Sequence, residues 1–226
     1  MTDVDVKICG IRNAKTAIAA TQAGASYLGF VFFRKSPRFV RVETAEEIIL
    51  ELKQSSFELG FEMPKLVGLF VDAGEKELAE TAPFLTHFQF HGHESPERCE
   101  EMGREFAVDV IKAIAVSADA AKDDFDQASE FSDAADLILF DAKPPPGAGR
   151  PGGNGLSFDW SVLEKYTADT PYLLAGGLTP ENVVDAVATS AKNPAFTGVD
   201  VSSGVETAPG VKSDALINAF IKSAKR

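Results

Sequence analysis

The sequence predicts an α/β protein, a single (β/α)8 TIM barrel of parallel strands spanning residues 1–226. Three observations carry this. Eight short apolar runs alternate with eight segments of helical pattern, and each strand–helix–strand step calls for a right-handed crossover. Runs such as Tyr27-Leu28-Gly29-Phe30-Val31-Phe32-Phe33 are apolar almost throughout, as in strands covered on both faces. No linker or low-complexity stretch breaks the chain, and 226 residues, 45% of them hydrophobic, suffice for one large core. The competing architecture is a doubly wound open sheet, which more often has five or six strands. No GxGxxG follows the first strand and no GxxxxGK[ST] occurs, so nucleotide folds lose ground.

Each element has its own signal. Val6-Lys7-Ile8-Cys9-Gly10 is strand one, and Asn13 caps a helix over 14–23 that Gly24 closes. Strand two covers 27–33. A basic loop at 34–38 follows, and Thr44 with Glu47 forms a capping box for a helix to about Gln54. Residues 55–64 read as a loop and 65–71 as strand three, with a short helix at 74–82. His87-Phe88-Gln89-Phe90-His91-Gly92 alternates as strand four, and Ser95-Pro96 opens a helix running to Gly103. Strand five is 108–116, followed by an acidic helix over 118–129, and strand six is 136–141. A Pro- and Gly-dense loop at 143–155 precedes a helix over 159–166. Strand seven is 172–177, Thr179-Pro180-Glu181-Asn182 caps the next helix, strand eight is 196–201, and a last helix spans 213–224.

Composition bounds the partners. A net charge of −12 argues against non-specific binding to nucleic acid or anionic lipid. No apolar run reaches the roughly 18–20 residues of a membrane helix, and the acidic start Met1-Thr2-Asp3 is unlike a signal peptide. Cys9 and Cys99 have no CxxC partner, which fits a reduced, cytoplasmic setting. No His, Cys, Asp or Glu cluster has metal-ligand spacing, so no metal is expected.

In a barrel the carboxyl ends of all strands open onto one face, where chemistry is placed. Reading off those ends gathers Cys9, Arg38, Asp72, His91, Asp141, Gly176-Gly177, and Asp200 with Ser202-Ser203-Gly204. A cysteine alone is as readily a small core filler; the convergence of so many polar groups on one edge favours a role for Cys9. Loops seven and eight form the phosphate site of many barrels. Gly176, Gly177, Ser202, Ser203 and Gly204 are therefore the candidate phosphate-binding residues, with a short helix after strand eight aiming N–H groups at the anion. Arg38 is a cation suited to a substrate carboxylate, or else part of a solvated basic loop with Arg34, Lys35 and Arg41. Asp141 ends an apolar strand, where shielding from water would raise its pKa and make it an acid, or else it caps the following loop. His91, beside Gln89 and Gly92, reads as a hydrogen-bonded supporting residue more readily than as a catalytic one.

Lys7-Ile8-Cys9-Gly10, Gly29-Phe30-Val31-Phe32 with Ser36-Pro37-Arg38, Gln89-Phe90-His91-Gly92, Leu139-Phe140-Asp141, Phe158-Asp159-Trp160, Gly176-Gly177-Leu178-Thr179-Pro180-Glu181-Asn182-Val183 and Val199-Asp200-Val201-Ser202-Ser203-Gly204-Val205-Glu206 together resemble the phosphoribosylanthranilate isomerase family of tryptophan biosynthesis. The resemblance runs the length of the chain in collinear order. It implies a (β/α)8 barrel and an Amadori rearrangement of N-(5-phospho-β-ribosyl)anthranilate to 1-(2-carboxyphenylamino)-1-deoxyribulose 5-phosphate, without a cofactor. It also implies Cys9 as general base, Asp141 as general acid and Arg38 as partner of the anthranilate carboxylate, with His91 and Asp200 counted among the substrate-binding residues. The substrate is a small phosphorylated molecule, and a monomer or homodimer is compatible with it.

That chemistry sets two expectations. A free thiol has a pKa of about 8.5 and an aspartate about 3.9. The base calls for a modest depression, which Lys7 or another cation would supply, and the acid for a rise. The chain departs from the family pattern in its long proline-rich loop at 143–151, in Ala142 where a more polar residue is common and in Phe90 where an aliphatic is usual. Two other readings stay open at this level: a non-catalytic sugar-phosphate sensor, and a related sugar-phosphate enzyme, whose strand one more typically ends in a carboxylate.

Overall fold

A computed structural model describes residues 4–117, 122–143, 152 and 157–226. Eight parallel strands close into a barrel in sequence order: β1 (Asp5–Cys9), β2 (Tyr27–Val31), β3 (Lys65–Phe70), β4 (His87–Phe90), β5 (Asp109–Val116), β6 (Leu137–Ala142), β7 (Tyr172–Leu174) and β8 (Phe196–Val201), with β8 pairing back onto β1. The crossovers carry α1 (Ala14–Gln22), α2 (Val42–Leu59), α3 (Glu75–Thr81), α4 (Pro96–Phe106), α5 (Lys122–Ser129), α6 (Val183–Ser190) and, after β8, α7 (Asp214–Ala224).

The period of two along each strand decides what each side chain meets. On β1, Val6 and Ile8 join the layer between barrel and helices, while on β6 Ile138, Phe140 and Ala142 do the same. The alternate positions Leu137 and Leu139 join Tyr27, Val67, Ile111, Ala113, Leu173 and Ala175 in a second apolar cluster that fills the barrel. Cys9 and Asp141 continue the inward rows of β1 and β6, one step beyond Lys7 and Leu139.

Caps at Asn13 and Ser95 form as the sequence predicts, and Ser213, read as the first residue of the last helix, is a third: each side chain accepts the amide three residues on. Other boundaries differ. The second helix starts at Val42 with Arg41 at the N-cap, and no Thr44 capping box forms. Its buried stripe Ala45, Ile48, Ile49 and Leu52 lets the chain enter the helix earlier. It then runs to Leu59, where Gly60 at φ +73° closes it. No residue past Leu52 is buried, so no apolar periodicity announces that last stretch. The fourth helix does not stop at Gly103. A Cβ there would lie 2.8 Å from Val110 Cγ2, so this glycine marks close packing, and the helix ends at Ala107 in the left-handed region.

The segment expected as an α-helix over 159–166 is a 3₁₀ helix, Trp160–Lys165. With three residues per turn, Trp160, Leu163 and Tyr166 fall on one side and pack into the core. Strands two, four and seven are shorter than expected. A small antiparallel hairpin, β9 (Glu206–Ala208) and β10 (Val211–Lys212), occupies what was read as plain loop. Of the 143–155 loop, residues 144–151 and 153–155 lie outside the described residues, as do residue 156 and 118–121 of the acidic helix.

Candidate active site

Cys9, Arg38, His91, Asp141, Asp200 and Ser202 all line one cavity at the carboxyl face of the barrel, together with Gln89, Ser36 and Gly152. Its volume is about 510 Å³ including space open to solvent, the size of a small-ligand site. Candidates from the ends of β1, β4, β6 and β8 and from the loop after β2 thus meet over one space.

Local sequence explains how each arrives. Gly10 follows Cys9 at φ +89°, and a Cβ at Gly10 would lie 2.8 Å from Arg38 Cδ. The glycine both turns the chain and makes room for the arginine stem. Arg38 is further set by its amide donating to Ser36 Oγ at 3.2 Å. The thiol owes its room to Gly29, where a Cβ would stand 3.0 Å from Cys9 Sγ. The Ser202 hydroxyl donates to the Cys9 carbonyl at 3.0 Å, tying loop eight to the end of β1.

Lys7, two residues before the thiol on the same inward row, is fully buried and paired with Asp200 at 2.7 Å. The register places them side by side on β1 and β8. Burial pulls the Lys7 ammonium down, but Asp200 and then Cys9 outweigh it, and its pKa stands above the ordinary value. Sequence reasoning noted Lys7 only as a nearby cation. Its signal was a lysine at an inward position of an otherwise apolar strand. Gln89 was also passed over; its Oε1 is buried without a hydrogen-bond partner among the described residues.

Asp141 is buried, and its Oδ1 accepts the Ala142 amide at 2.8 Å. Burial first, and the Asp200 carboxylate second, push its pKa up to about 7, against the Ala142 amide and Lys7. His91 Nε2 lies 3.7 Å from Asp141 Oδ2, beyond a hydrogen bond. Burial, with Lys112 and Lys7, holds the imidazole down at about 3, so it is neutral beside the acid. The hydrogen-bonded partner expected for His91 is not found among the described residues. A Cβ on Gly152 would sit 2.6 Å from both Asp141 Oδ2 and His91 Cε1, so backbone covers this pair closely.

The thiol corrects one expectation. Burial raises the Cys9 pKa, and this outweighs the lowering by Lys7, Lys212 and Arg38. The expected modest depression does not occur, because taking a sulfur anion out of water costs more than one shared ammonium returns.

Of the five candidate phosphate residues, Ser202 lines the cavity. Gly176 and Gly177 follow one another at φ +88° and +63°, conformations that glycine adopts without strain. The Asn182 amide donates to Gly177 O at 3.0 Å and its Oδ1 accepts from Thr179 N at 2.8 Å, which pins loop seven. A Cβ on Gly204 would lie 1.9 Å from Leu178 O, so loops seven and eight pack backbone to backbone. The short helix expected after β8 is a single 3₁₀ turn, Ser203–Val205.

Arg38 does not lie in a solvated loop. It is buried and bidentate to Glu206, Nε to Oε1 and Nη2 to Oε2, both at 2.8 Å. Asp72 lies away from this group, on an exposed turn where it holds the His93 amide. Among the described residues no group of three or more His, Cys, Asp or Glu could hold a metal ion, and no helix is long and apolar enough to cross a membrane.

Comparison with known proteins places this geometry. Residues 6–223 match the family model described as N-(5'phosphoribosyl)anthranilate (PRA) isomerase. A relative from Paramagnetospirillum magneticum, N-(5'-phosphoribosyl)anthranilate isomerase, is 47% identical over 98% of this chain and 97% of its own. The crystal structure of phosphoribosyl anthranilate isomerase from Thermotoga maritima superposes with a TM-score of 0.80 at 36% identity, covering 98% of both chains. A phosphoribosyl anthranilate isomerase in complex with reduced 1-(o-carboxyphenylamino)-1-deoxyribulose 5-phosphate superposes at 0.78 with 33% identity and the same coverage.

Proposed function

Since the chain belongs to the N-(5'-phosphoribosyl)anthranilate isomerase family, and so catalyses that isomerisation in tryptophan biosynthesis, we propose how its residues divide the reaction. Asp141 is the general acid and Cys9 the general base. The observation that carries this is their convergence, from β6 and β1, on one cavity.

Asp141 protonates the furanose ring oxygen, and the ring opens to a protonated Schiff base. A carboxyl held up to about 7 keeps that proton near neutral pH. The neutral His91 leaves the proton on Asp141 rather than adding a charge that would draw it off. Cys9 then takes the C2′ proton, giving an enolamine that tautomerises to the ketone. The thiol needs help to ionise, and the iminium formed by ring opening is a second cation beside Lys7 that favours the thiolate. Arg38 holds the anthranilate carboxylate and Asp200 the sugar side. The 5′-phosphate lies on Ser202, Ser203 and Gly204 with Gly176 and Gly177, on backbone that glycine lets approach. Two buried thiols, Cys9 and Cys99, suit a reducing compartment, and we place the protein in the cytoplasm.

The test mixes purified protein with freshly generated N-(5-phosphoribosyl)anthranilate and follows loss of anthranilate-type fluorescence. Wild type is expected to consume it. Cys9→Ala and Asp141→Asn are each expected to lower kcat by roughly 10³-fold with the fold intact. Near-normal turnover by either variant would remove that residue from its role. Tight binding without product would return the sensor reading.

A further inference from the structure

The guanidinium of Arg38 is already engaged before any substrate arrives. Its Nε and Nη2 both donate to Glu206, and Nη1 makes no hydrogen bond among the described residues. The Glu206 carboxylate also accepts from Lys212 Nζ at 2.9 Å and from the Gly210 amide at 3.2 Å. All three charged side chains are buried, with 3–6% of each exposed. Burial pushes the Glu206 carboxyl up, but the Arg38 hydrogen bond, then Lys212, outweigh it and hold it below the ordinary value, so it is ionised. The group therefore sets two basic side chains against one anion; burial pulls the Lys212 ammonium below its ordinary value against the pull of Glu206, while the guanidinium of Arg38 keeps its charge. Buried charges of this kind call for a counter-ion. A carboxylate arriving on the free end of Arg38 would complete the set.

Geometry also limits how that carboxylate can dock. Arginine offers two edges for bidentate binding, a side-on edge of Nε with Nη2 and an end-on edge of Nη1 with Nη2. Glu206 occupies the first. It is carried there by β9, and the β9–β10 hairpin supplies both the Lys212 ammonium and the Gly210 amide that hold it.

We propose that Glu206 is a positioning and specificity-determining residue: by filling the side-on edge of Arg38 it presents the end-on edge to the substrate carboxylate and so makes the site select carboxylate-bearing aryl amines. This rests on Arg38 as partner of the anthranilate carboxylate. A glutamine at this position would not do the same, because its NH₂ would face donors from Arg38 or Lys212 where an oxygen now accepts.

The test compares kcat/KM for two substrates, the phosphoribosyl adduct of anthranilate and that of aniline, which lacks the carboxylate. Wild type is expected to prefer the first. Glu206→Gln is expected to cut that preference at least about tenfold, the loss of one charge-assisted contact, mostly through KM for the carboxylate substrate. Arg38→Met is expected to cut it further, and the double variant to be no worse than Arg38→Met alone. If Glu206→Gln slows both substrates equally while Arg38→Met still erases the preference, Glu206 is merely structural and the proposal falls. If Arg38→Met leaves the preference intact, the carboxylate role of Arg38 falls first and takes the proposal with it. Should Glu206→Gln fail to fold, Glu206→Asp keeps the charge but draws the carboxylate back by one methylene. It is expected to lose the preference too, and equal slowing of both substrates by that variant overturns the proposal.

Discussion

In the unfolded chain the Asp141 carboxyl ionises near its ordinary 3.8, whereas in the fold burial, and then Asp200, keep the proton on until about 7. The native state therefore binds more protons than the unfolded state between those values. Stability falls as pH rises through that window, and the penalty is complete above it. At about 1.4 kcal/mol per pH unit it amounts to roughly 4 kcal/mol at most. Asp141→Asn keeps an oxygen for the Ala142 amide and removes the charge. It is expected to raise stability by roughly 2–4 kcal/mol at pH 8 and to change little near pH 3.5, read from urea midpoints at the two pH values. An equal effect at both would show that ionisation of Asp141 carries no cost. The same rise predicts that wild-type kcat/KM declines above about pH 7. Burial raises this carboxyl while its Oδ1 accepts the Ala142 amide, so both readings left open for it, a carboxyl shielded from water and a cap for the loop, were legible in the sequence. It was insufficient for Cys9, because whether burial or Lys7 prevails depends on how completely water is excluded.

Lys112 shows what a strand contributes beyond the cavity. It lies on β5 with its ammonium 2.9 Å from Glu94, 3.0 Å from the Gly92 carbonyl and 5.3 Å above the Phe131 ring. Glu94 in turn accepts the amides of Asp72 at 2.8 Å and Gly92 at 2.9 Å. One buried ion pair thus clamps the loops that follow β3 and β4, and His91 sits in the second of these. Lys112→Met would leave Glu94 buried without its cation, at a cost of roughly 3–5 kcal/mol, and adding Glu94→Gln is expected to recover part of it. Denaturant unfolding of the two variants measures this; a loss below about 1 kcal/mol for Lys112→Met would show that the clamp is not rigid. At this scale the sequence was legible where a local signal existed, as in the caps at Asn13 and Ser95. It was illegible where tertiary contact replaced one. The tail of α2 has no buried face, Gly103 sits inside α4 for packing, and the 3₁₀ spacing of Trp160, Leu163 and Tyr166 is too short a pattern to distinguish from a helix.

Taken as a whole, the molecule is acidic, at −12, yet Arg38 in the cavity wall and Lys212 share the single carboxylate of Glu206. Arg38 is the cation that an anionic substrate meets in the cavity wall, beside the carboxyls of Asp141 and Asp200. Anything that binds the folded state alone stabilises it, by about 2.7 kcal/mol at a hundredfold excess over Kd. Inorganic phosphate at millimolar concentration is accordingly expected to raise Tm by several degrees over chloride of equal ionic strength, along a saturating curve. Gly204→Ala, whose Cβ would collide with Leu178 O, is expected to abolish the increment. A rise that is linear in phosphate, or that survives in Gly204→Ala, would remove loops seven and eight from phosphate binding.

Eight apolar runs alternating with helical segments determined the barrel, because a parallel strand needs a crossover and eight of them close on themselves. That closure then determined which residues could meet: with a period of two, Cys9, Asp141 and Asp200 had to point inward at the same end. Only the tertiary structure decided their electrical state and their partners. The Lys7–Asp200 pair, the capture of Arg38 by Glu206 and the upward push on the Cys9 thiol all depend on distances across the barrel and on excluded water. Those are fixed by how the closed sheet and its loops pack around the cavity, and no local pattern in the chain encodes them.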